Sequence, residues 1–136
     1  MMKTPLLTKI NYGLFILISV YVIFVMIYSA QPWGGNYAYQ KISDYGMLLV
    51  FILWNASPFF MIAASARKFS RGVKAYIFSI GAAVITVLSC YMMHEAVFVS
   101  IDAQSALIFL ILPAYEWIAF LILFILLALL NFFGIS

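Results

Sequence analysis

Residues 104–130 read "QSALIFLILPAYEWIAFLILFILLALL", an apolar run in which Glu116 is the only charged side chain. About 20 apolar residues in helical conformation cross the hydrocarbon core of a bilayer, which is about 30 Å thick. The run is longer than that, and it lacks the alternation of polar and apolar residues that is typical of a membrane strand. This stretch therefore predicts a membrane-spanning helix with an acidic residue in its interior.

Three further apolar segments precede this one, at residues 12–30, 45–66 and 75–94. The chain of 136 residues is 68% hydrophobic and 8% charged, whereas soluble domains have about 45–50% apolar and about 25% charged residues. A water-soluble fold of this size could not bury so much apolar surface. We therefore predict an all-α membrane protein, with residues 1–136 forming a single four-helix transmembrane bundle.

The positions of the cations predict how these segments are oriented. Of the seven Lys and Arg residues, only Lys41 lies between the first and second segments or between the third and fourth. The other six lie before the first segment or between the second and third: Lys3, Lys9, Arg67, Lys68, Arg71 and Lys74. Because cytoplasmic loops carry an excess of Lys and Arg, we predict a multi-pass protein of a bacterial inner membrane with both termini in the cytoplasm. The same placement argues against a nucleic-acid partner.

Glu116 is expected near the middle of the membrane. It lies 14 residues after Asp102 and 15 residues before Asn131, which at 1.5 Å per residue places it about 21 and 22 Å from them. Ionised acids at this depth are costly, and they usually face the bundle interior or a wet cavity. Removal from water favours the neutral acid, which would then donate a hydrogen bond.

Acceptors for such a donor are expected at the same depth. A proline in a helix frees the carbonyl four residues earlier, so Pro58 frees that of Trp54. Pro113 does the same for Phe109, and both prolines are predicted helix kinks. The polar side chains at this level are predicted to form one intramembrane cluster, which consists of Glu116, Tyr115, Asn55, Ser57, Thr86 and Ser89.

Three interpretations of this cluster remain open. It could hold the helices together through interhelical hydrogen bonds, which are worth about 0.6–2 kcal/mol each. It could contact a partner within the membrane. It could also bind a proton or another cation during transport, since an acid inside a membrane is by default a candidate functional site.

Other polar groups are predicted at the outer helix ends. Asp44 and Asp102 precede the second and fourth segments, where a short acid caps free N–H groups and meets the positive end of the helix dipole. His94 and Glu95 are placed at the outer interface, in a turn at or just beyond the end of the third helix. One histidine cannot form a zinc or haem site without other strong ligands, so no metal or cofactor is expected. The sequence contains no nucleophile–base pair or phosphate loop, so we predict no enzymatic activity.

The helices are expected to differ in how closely they pack. The first segment contains no charge, and its only small hydroxyl residues are Ser19 and Ser29. We therefore expect it to lie at the periphery of the bundle. Small side chains allow helices to approach closely, and the third segment carries a stripe of them: Ser79, Gly81, Ala82, Ala83 and Thr86.

The stretch "DAQSALIFLILPAYEW", residues 102–117, is similar to a pattern in small uncharacterised bacterial inner-membrane proteins. In that pattern Asp-Ala-Gln opens a span and Pro-x-Tyr interrupts it. The size and predicted topology also resemble membrane immunity proteins, which protect a bacterium from its own membrane-acting toxins. The small multidrug resistance transporters are similar in length and in having one membrane glutamate, but their acid lies in the first helix.

The intramembrane acid and these resemblances together lead us to two predicted functions. One is a non-enzymatic protein that binds a membrane partner in the lipid bilayer, as an immunity protein or as an accessory subunit of a membrane complex. The alternative is a small transporter or channel, formed by a homo-oligomer and coupled to protons or other cations, in which Glu116 changes its protonation state.

Overall fold

The computed structural model describes residues 5–30, 42–99 and 105–134. Within these residues the chain forms four long helices: α1 (Pro5–Ala30), α2 (Ile42–Ala66), α3 (Gly72–His94) and α4 (Ser105–Phe132). A π-helical turn, Glu95–Val99, continues α3. All four helices are long and apolar enough to cross a membrane. The predicted all-helical architecture with four potential spans is therefore confirmed.

Two helices are longer than the apolar pattern predicted. The first begins at Pro5 rather than at residue 12, since proline is well suited to the first position of a helix. The third begins at Gly72, and its helical backbone continues through the π-turn to Val99. The backbone N–H of Glu95 bonds to carbonyls of the preceding turn. His94 is therefore the last residue of α3 and Glu95 the first of the π-turn. Both lie at the end of the third helix, as predicted, but their backbone is helical.

The helices are arranged as a ring in the order α1, α2, α4, α3. Asn11 contacts Ser79 near one end of α1 and α3, and Tyr28 contacts Phe98 near the other. The helices α1 and α3 are therefore parallel. The helices α2 and α4 are also parallel neighbours. Trp54 of α2 contacts Leu110 of α4, and Ser57, which is later in α2, contacts Trp117, which is later in α4. Like-directed helices thus lie side by side around the ring.

The first helix belongs to the core, and the expectation that it lies at the periphery is wrong. Its side chains Ile18, Val22, Val25 and Met26 are all buried against the other helices. They recur at helical spacing and form one continuous inward face. The apolar outer face of α1 hides this pattern in the sequence, since both sides of the helix read as hydrophobic.

The third and fourth helices approach closely where a glycine faces a leucine. A Cβ atom added to Gly81 would lie 2.8 Å from Cδ1 of Leu123, which is inside van der Waals contact. The side chains of Ala82 and Thr86 are also buried at this side of α3. The small residues of the third helix therefore do permit a close helix contact, as predicted.

One end of the bundle carries the α2–α3 turn with its cations, and we call it the basic end. It is defined by Arg67, Lys68, Arg71 and Lys74. Three aromatic rings anchor this turn, because Phe69 packs against Phe78 and Phe124 with centroid distances of 5.3 and 5.8 Å. Gly72 then starts α3 with a φ of 63°, a conformation that favours glycine. The opposite end is called the far end.

Candidate functional site

The two helix prolines lie at similar levels on the neighbouring helices α2 and α4, and both are buried. Both helices continue through their prolines. Pro58 has no N–H to bond to the carbonyl of Trp54. That carbonyl instead accepts a hydrogen bond from the Ser57 hydroxyl at 2.7 Å. The freed acceptor predicted at this position is thus satisfied within its own helix.

The acceptor freed by the second proline is satisfied across the helix interface. Pro113 leaves the carbonyl of Phe109 without its helical donor. Nδ2 of Asn55 donates to this carbonyl at 2.8 Å, and it also donates to the carbonyl of Phe51 at 2.9 Å. Asn55 is fully buried. Its side chain therefore links α2 to α4 at the point where the proline interrupts the hydrogen bonding of α4.

Two tryptophans reinforce this contact, and the sequence reasoning missed both. Nε1 of Trp54 donates to the carbonyl of Leu110 at 3.2 Å. Nε1 of Trp117 donates to Oγ of Ser57 at 3.1 Å. An indole N–H in an apolar environment usually finds an acceptor, and that requirement was the available signal. We call this set of bonds the α2–α4 lock, formed by Trp54, Asn55, Ser57, Phe109, Leu110 and Trp117.

Glu116 lies apart from the lock, on the face of α4 that packs against α3. Its side chain is only 2% exposed, and it interacts with Ser89 and Cys90 of α3. The Ser89 hydroxyl, however, donates to the carbonyl of Ile85 at 2.8 Å. Neither carboxyl oxygen has a hydrogen-bond partner among the described residues. The carboxyl group is therefore buried without a donor to stabilise a negative charge.

The predicted single cluster is thus divided by the rotation of the helices. Asn55 and Ser57 belong to the α2–α4 lock, whereas Glu116 and Ser89 meet between α3 and α4. Tyr115 belongs to neither, because its side chain is 63% exposed on the outside of the bundle. The prediction that Tyr115 belongs to the polar cluster is wrong. Successive residues of a helix point about 100° apart, so Tyr115 faces outward while Glu116 faces inward.

A second polar contact joins α1 to α3 near the basic end. Nδ2 of Asn11 donates to Oγ of Ser79 at 2.8 Å, and the Ser79 hydroxyl donates to the carbonyl of Ala75 at 2.7 Å. Asn11 is buried. It was missed because it precedes the predicted start of the first helix. Had the first helix been predicted to begin at Pro5, Asn11 would have stood out as a polar side chain inside it.

A small cavity separates this contact from Thr86. Its volume is about 10 Å³, which is close to the room that one water molecule needs. The side chains of Asn11 and Thr86 supply its polar lining. The remaining lining is apolar and comes from α1, α2 and α3: Leu14, Phe15, Ile18, Ile62, Ala82 and Ala83. Thr86 therefore faces this cavity and not the α2–α4 lock.

The remaining predicted site residues lie toward the far end. Asp44 lies in the first turn of α2, which begins at Ile42, so it is inside the helix and does not precede it. Asp102 lies outside the described residues. His94 is exposed, and its ring lies 5.1 Å from that of Phe98. Glu95 begins the π-turn. No group of three or more His, Cys, Asp and Glu side chains with the arrangement of a metal site occurs in the part of the chain that the structure describes.

Comparisons with family models, with curated proteins and with solved structures give no match for this chain. The function must therefore be inferred from the sequence and the geometry.

Proposed function

We propose that the protein is a non-enzymatic, multi-pass protein of a bacterial inner membrane that acts by binding another membrane component. Its two most concrete forms are an immunity protein against a membrane-acting toxin and an accessory subunit of a membrane complex. The positive charge of the α2–α3 turn supports a cytoplasmic position for the basic end and for both termini. The far end would then face the outside.

The observation that carries this proposal is a row of exposed aromatic rings near the far end. Phe24 and Tyr28 of α1 lie 6.0 Å apart, and Tyr28 lies 5.3 Å from Phe98 of the π-turn. His94 of α3 extends the row beyond Phe98. All four side chains are exposed. We call this surface, made of Phe24, Tyr28, His94 and Phe98, the aromatic row.

Aromatic residues are enriched at protein interfaces, where they contribute much of the binding energy. The aromatic row crosses two helices, so it offers a continuous surface to a partner rather than isolated rings at the membrane boundary. The hydrogen-bonding groups of the α2–α4 lock are occupied inside the bundle. A partner would therefore contact the outside of a preformed bundle and leave the lock intact.

Site-specific photo-crosslinking in living cells tests this proposal. A photoreactive phenylalanine analogue is placed at Phe98, and in a matched control it is placed at Tyr76, which is also exposed on α3 but lies near the basic end. We expect a discrete protein adduct at Phe98 that is lost in Tyr28→Ala, and none at Tyr76. Adducts with lipid alone at both positions would contradict the proposal. A toxin gene beside this one would favour immunity, whereas an operon for a membrane complex would favour a subunit.

The second candidate function is a small oligomeric transporter or channel coupled to protons or other cations. It is supported by the buried and unpartnered carboxyl group of Glu116, because such acids are typical of ion pathways in membranes. Purified protein in liposomes should then conduct protons or move a solute against a proton gradient. Glu116→Gln should abolish this activity without unfolding the protein, whereas a partner-binding protein should show no flux in either form.

A further inference from the structure

We propose that Glu116 is a proton-binding site that exchanges protons with the basic end of the bundle along the interface of α1 and α3. This inference deepens the second candidate function, on which it rests, by naming the side from which Glu116 takes up its proton; it does not depend on the aromatic row. It is carried by three features that lie in order along the bundle: a polar pair near the basic end, a cavity beyond it, and a carboxyl group without a partner.

The first step of the route is the pair of Asn11 and Ser79. Asn11 lies six residues after Pro5, and Ser79 lies seven residues after Gly72, so each is about 10 Å from the end of its helix. Their side chains share a hydrogen bond of 2.8 Å. A buried hydrogen-bonded pair is thus within two turns of the basic end, on the two parallel helices α1 and α3.

The second step is the cavity that begins at Asn11 and reaches Thr86. These are the two polar side chains that line it, and they are separated by the rise of about seven helical residues, or about 10 Å. A water molecule held there would hydrogen-bond to one of these two side chains at a time, because a bridging water needs both partners within about 6 Å of each other. The cavity therefore has one polar side chain near the level of Ser79 and one in the middle of α3.

The third step leads from Thr86 to the carboxyl group. Ser89 follows Thr86 by three residues, so both lie on one face of α3, and both are buried. Ser89 then interacts with Glu116 on α4. Both oxygens of the Glu116 carboxyl group are buried without a hydrogen-bond partner among the described residues. Removal from water, and not the contact with Ser89, is therefore what favours the neutral acid.

The opposite direction is closed by apolar side chains. Beyond Glu116 toward the far end, α4 buries Leu112 and Phe109. The third helix and its π-turn bury Met93 and Val97 at the same side of the bundle. These side chains offer no hydrogen bond to a proton or a water molecule. Asn55 of α2 is also buried at this level, but its amide N–H groups are used in the α2–α4 lock. The buried side chains that α3, its π-turn and α4 place on the far side of Glu116 are therefore apolar.

Two other titratable side chains lie near Glu116, on the helices α3 and α1. Cys90 faces it from α3, and Tyr21 of α1 faces Cys90 in turn. The titratable residues of α2 are Asp44 and Tyr45, at the start of that helix near the far end. The step itself is the addition of one proton to the carboxylate to form the carboxylic acid, and its reversal. No other reactant is needed.

Infrared spectroscopy of the protein in liposomes of known protein orientation tests this inference. The carbonyl band of a neutral carboxylic acid should be present in the wild type and absent from Glu116→Gln. It should respond to a pH step on the basic side before it responds to one on the far side. Thr86→Val and Ser79→Ala should slow this response by about tenfold, since each removes a hydrogen-bonding group from the route.

Ser57→Ala is the matched control. Its hydroxyl, like that of Ser79, donates to a backbone carbonyl of its own helix, but Ser57 lies in the α2–α4 lock and does not line the cavity. Its removal should leave the response unchanged. Absence of the band from the wild type, a response that follows the far side, or unchanged rates in both Thr86→Val and Ser79→Ala would overturn the inference. If either Thr86→Val or Ser79→Ala fails to fold, the other variant still tests the route.

Discussion

Asn55 of α2 donates a hydrogen bond of 2.8 Å to the carbonyl of Phe109 in α4, which is the acceptor that Pro113 leaves without its helical donor. One helix thus completes the backbone hydrogen bonding of its neighbour. Irregular backbone is tolerated inside a membrane protein when neighbouring groups satisfy it in this way. The contact also holds α2 and α4 in a single register, because the acceptor occurs at one level of α4.

Asn55→Ala should therefore destabilise the bundle by about 1–3 kcal/mol, since a buried carbonyl loses its donor. The cost should fall in a Pro113→Ala background, because alanine restores the N–H that bonds to Phe109. Unfolding by denaturing detergent measures both free energies, and a double-mutant cycle isolates the coupling. Equal costs in the two backgrounds would show that the asparagine does not serve the freed carbonyl.

Gly81→Val should destabilise the protein by about 1–3 kcal/mol, because its side chain must displace that of Leu123. Gly46→Val is the matched control, since a Cβ atom at that helical position meets nothing within 4 Å. It should change the free energy of unfolding by less than about 0.5 kcal/mol, a typical limit for surface substitutions. The same detergent titration measures both variants. Similar costs for the two would mean that α3 and α4 do not pack closely at Gly81.

Phe78→Ala should cost about 3–5 kcal/mol of the free energy of unfolding. Phe78 is fully buried, and its ring packs against Phe69 and Phe124 beneath the α2–α3 turn. Phe132→Ala is the control, because that side chain is 84% exposed at the end of α4. Limited proteolysis should also show faster cleavage at the α2–α3 turn in Phe78→Ala alone. If the turn is cleaved no faster in Phe78→Ala than in the wild type, the packing of Phe69, Phe78 and Phe124 does not hold the turn in place.

Glu116→Met should leave the stability unchanged or raise it by about 1–2 kcal/mol. The carboxyl oxygens are buried without a hydrogen-bond partner among the described residues, so an apolar side chain of similar volume avoids their desolvation. Thermal unfolding in detergent, with Glu116→Gln beside it, measures the effect. A loss of more than about 2 kcal/mol in Glu116→Met would instead assign Glu116 a structural role as interhelical glue.

The sequence by itself determined the number of long apolar helices, because each apolar segment has the length that crossing a bilayer requires. It also determined which carbonyls would lack a donor, because proline has no N–H in any environment. Both properties belong to individual residues or to short segments. They hold before any helix meets another, and the structure bears out four helices of spanning length and a new donor at each freed carbonyl.

Only the tertiary structure decided which side chains face each other. It placed α1 in the core, turned Tyr115 outward and Glu116 inward, and paired Asn11 with Ser79. In a soluble helix, a polar stripe would have shown the outward face. Here the outer surface is as apolar as the core, so the rotation of each helix leaves no periodic trace in the sequence. That rotation is set by close packing and by a few interhelical hydrogen bonds, which exist only once the helices have assembled.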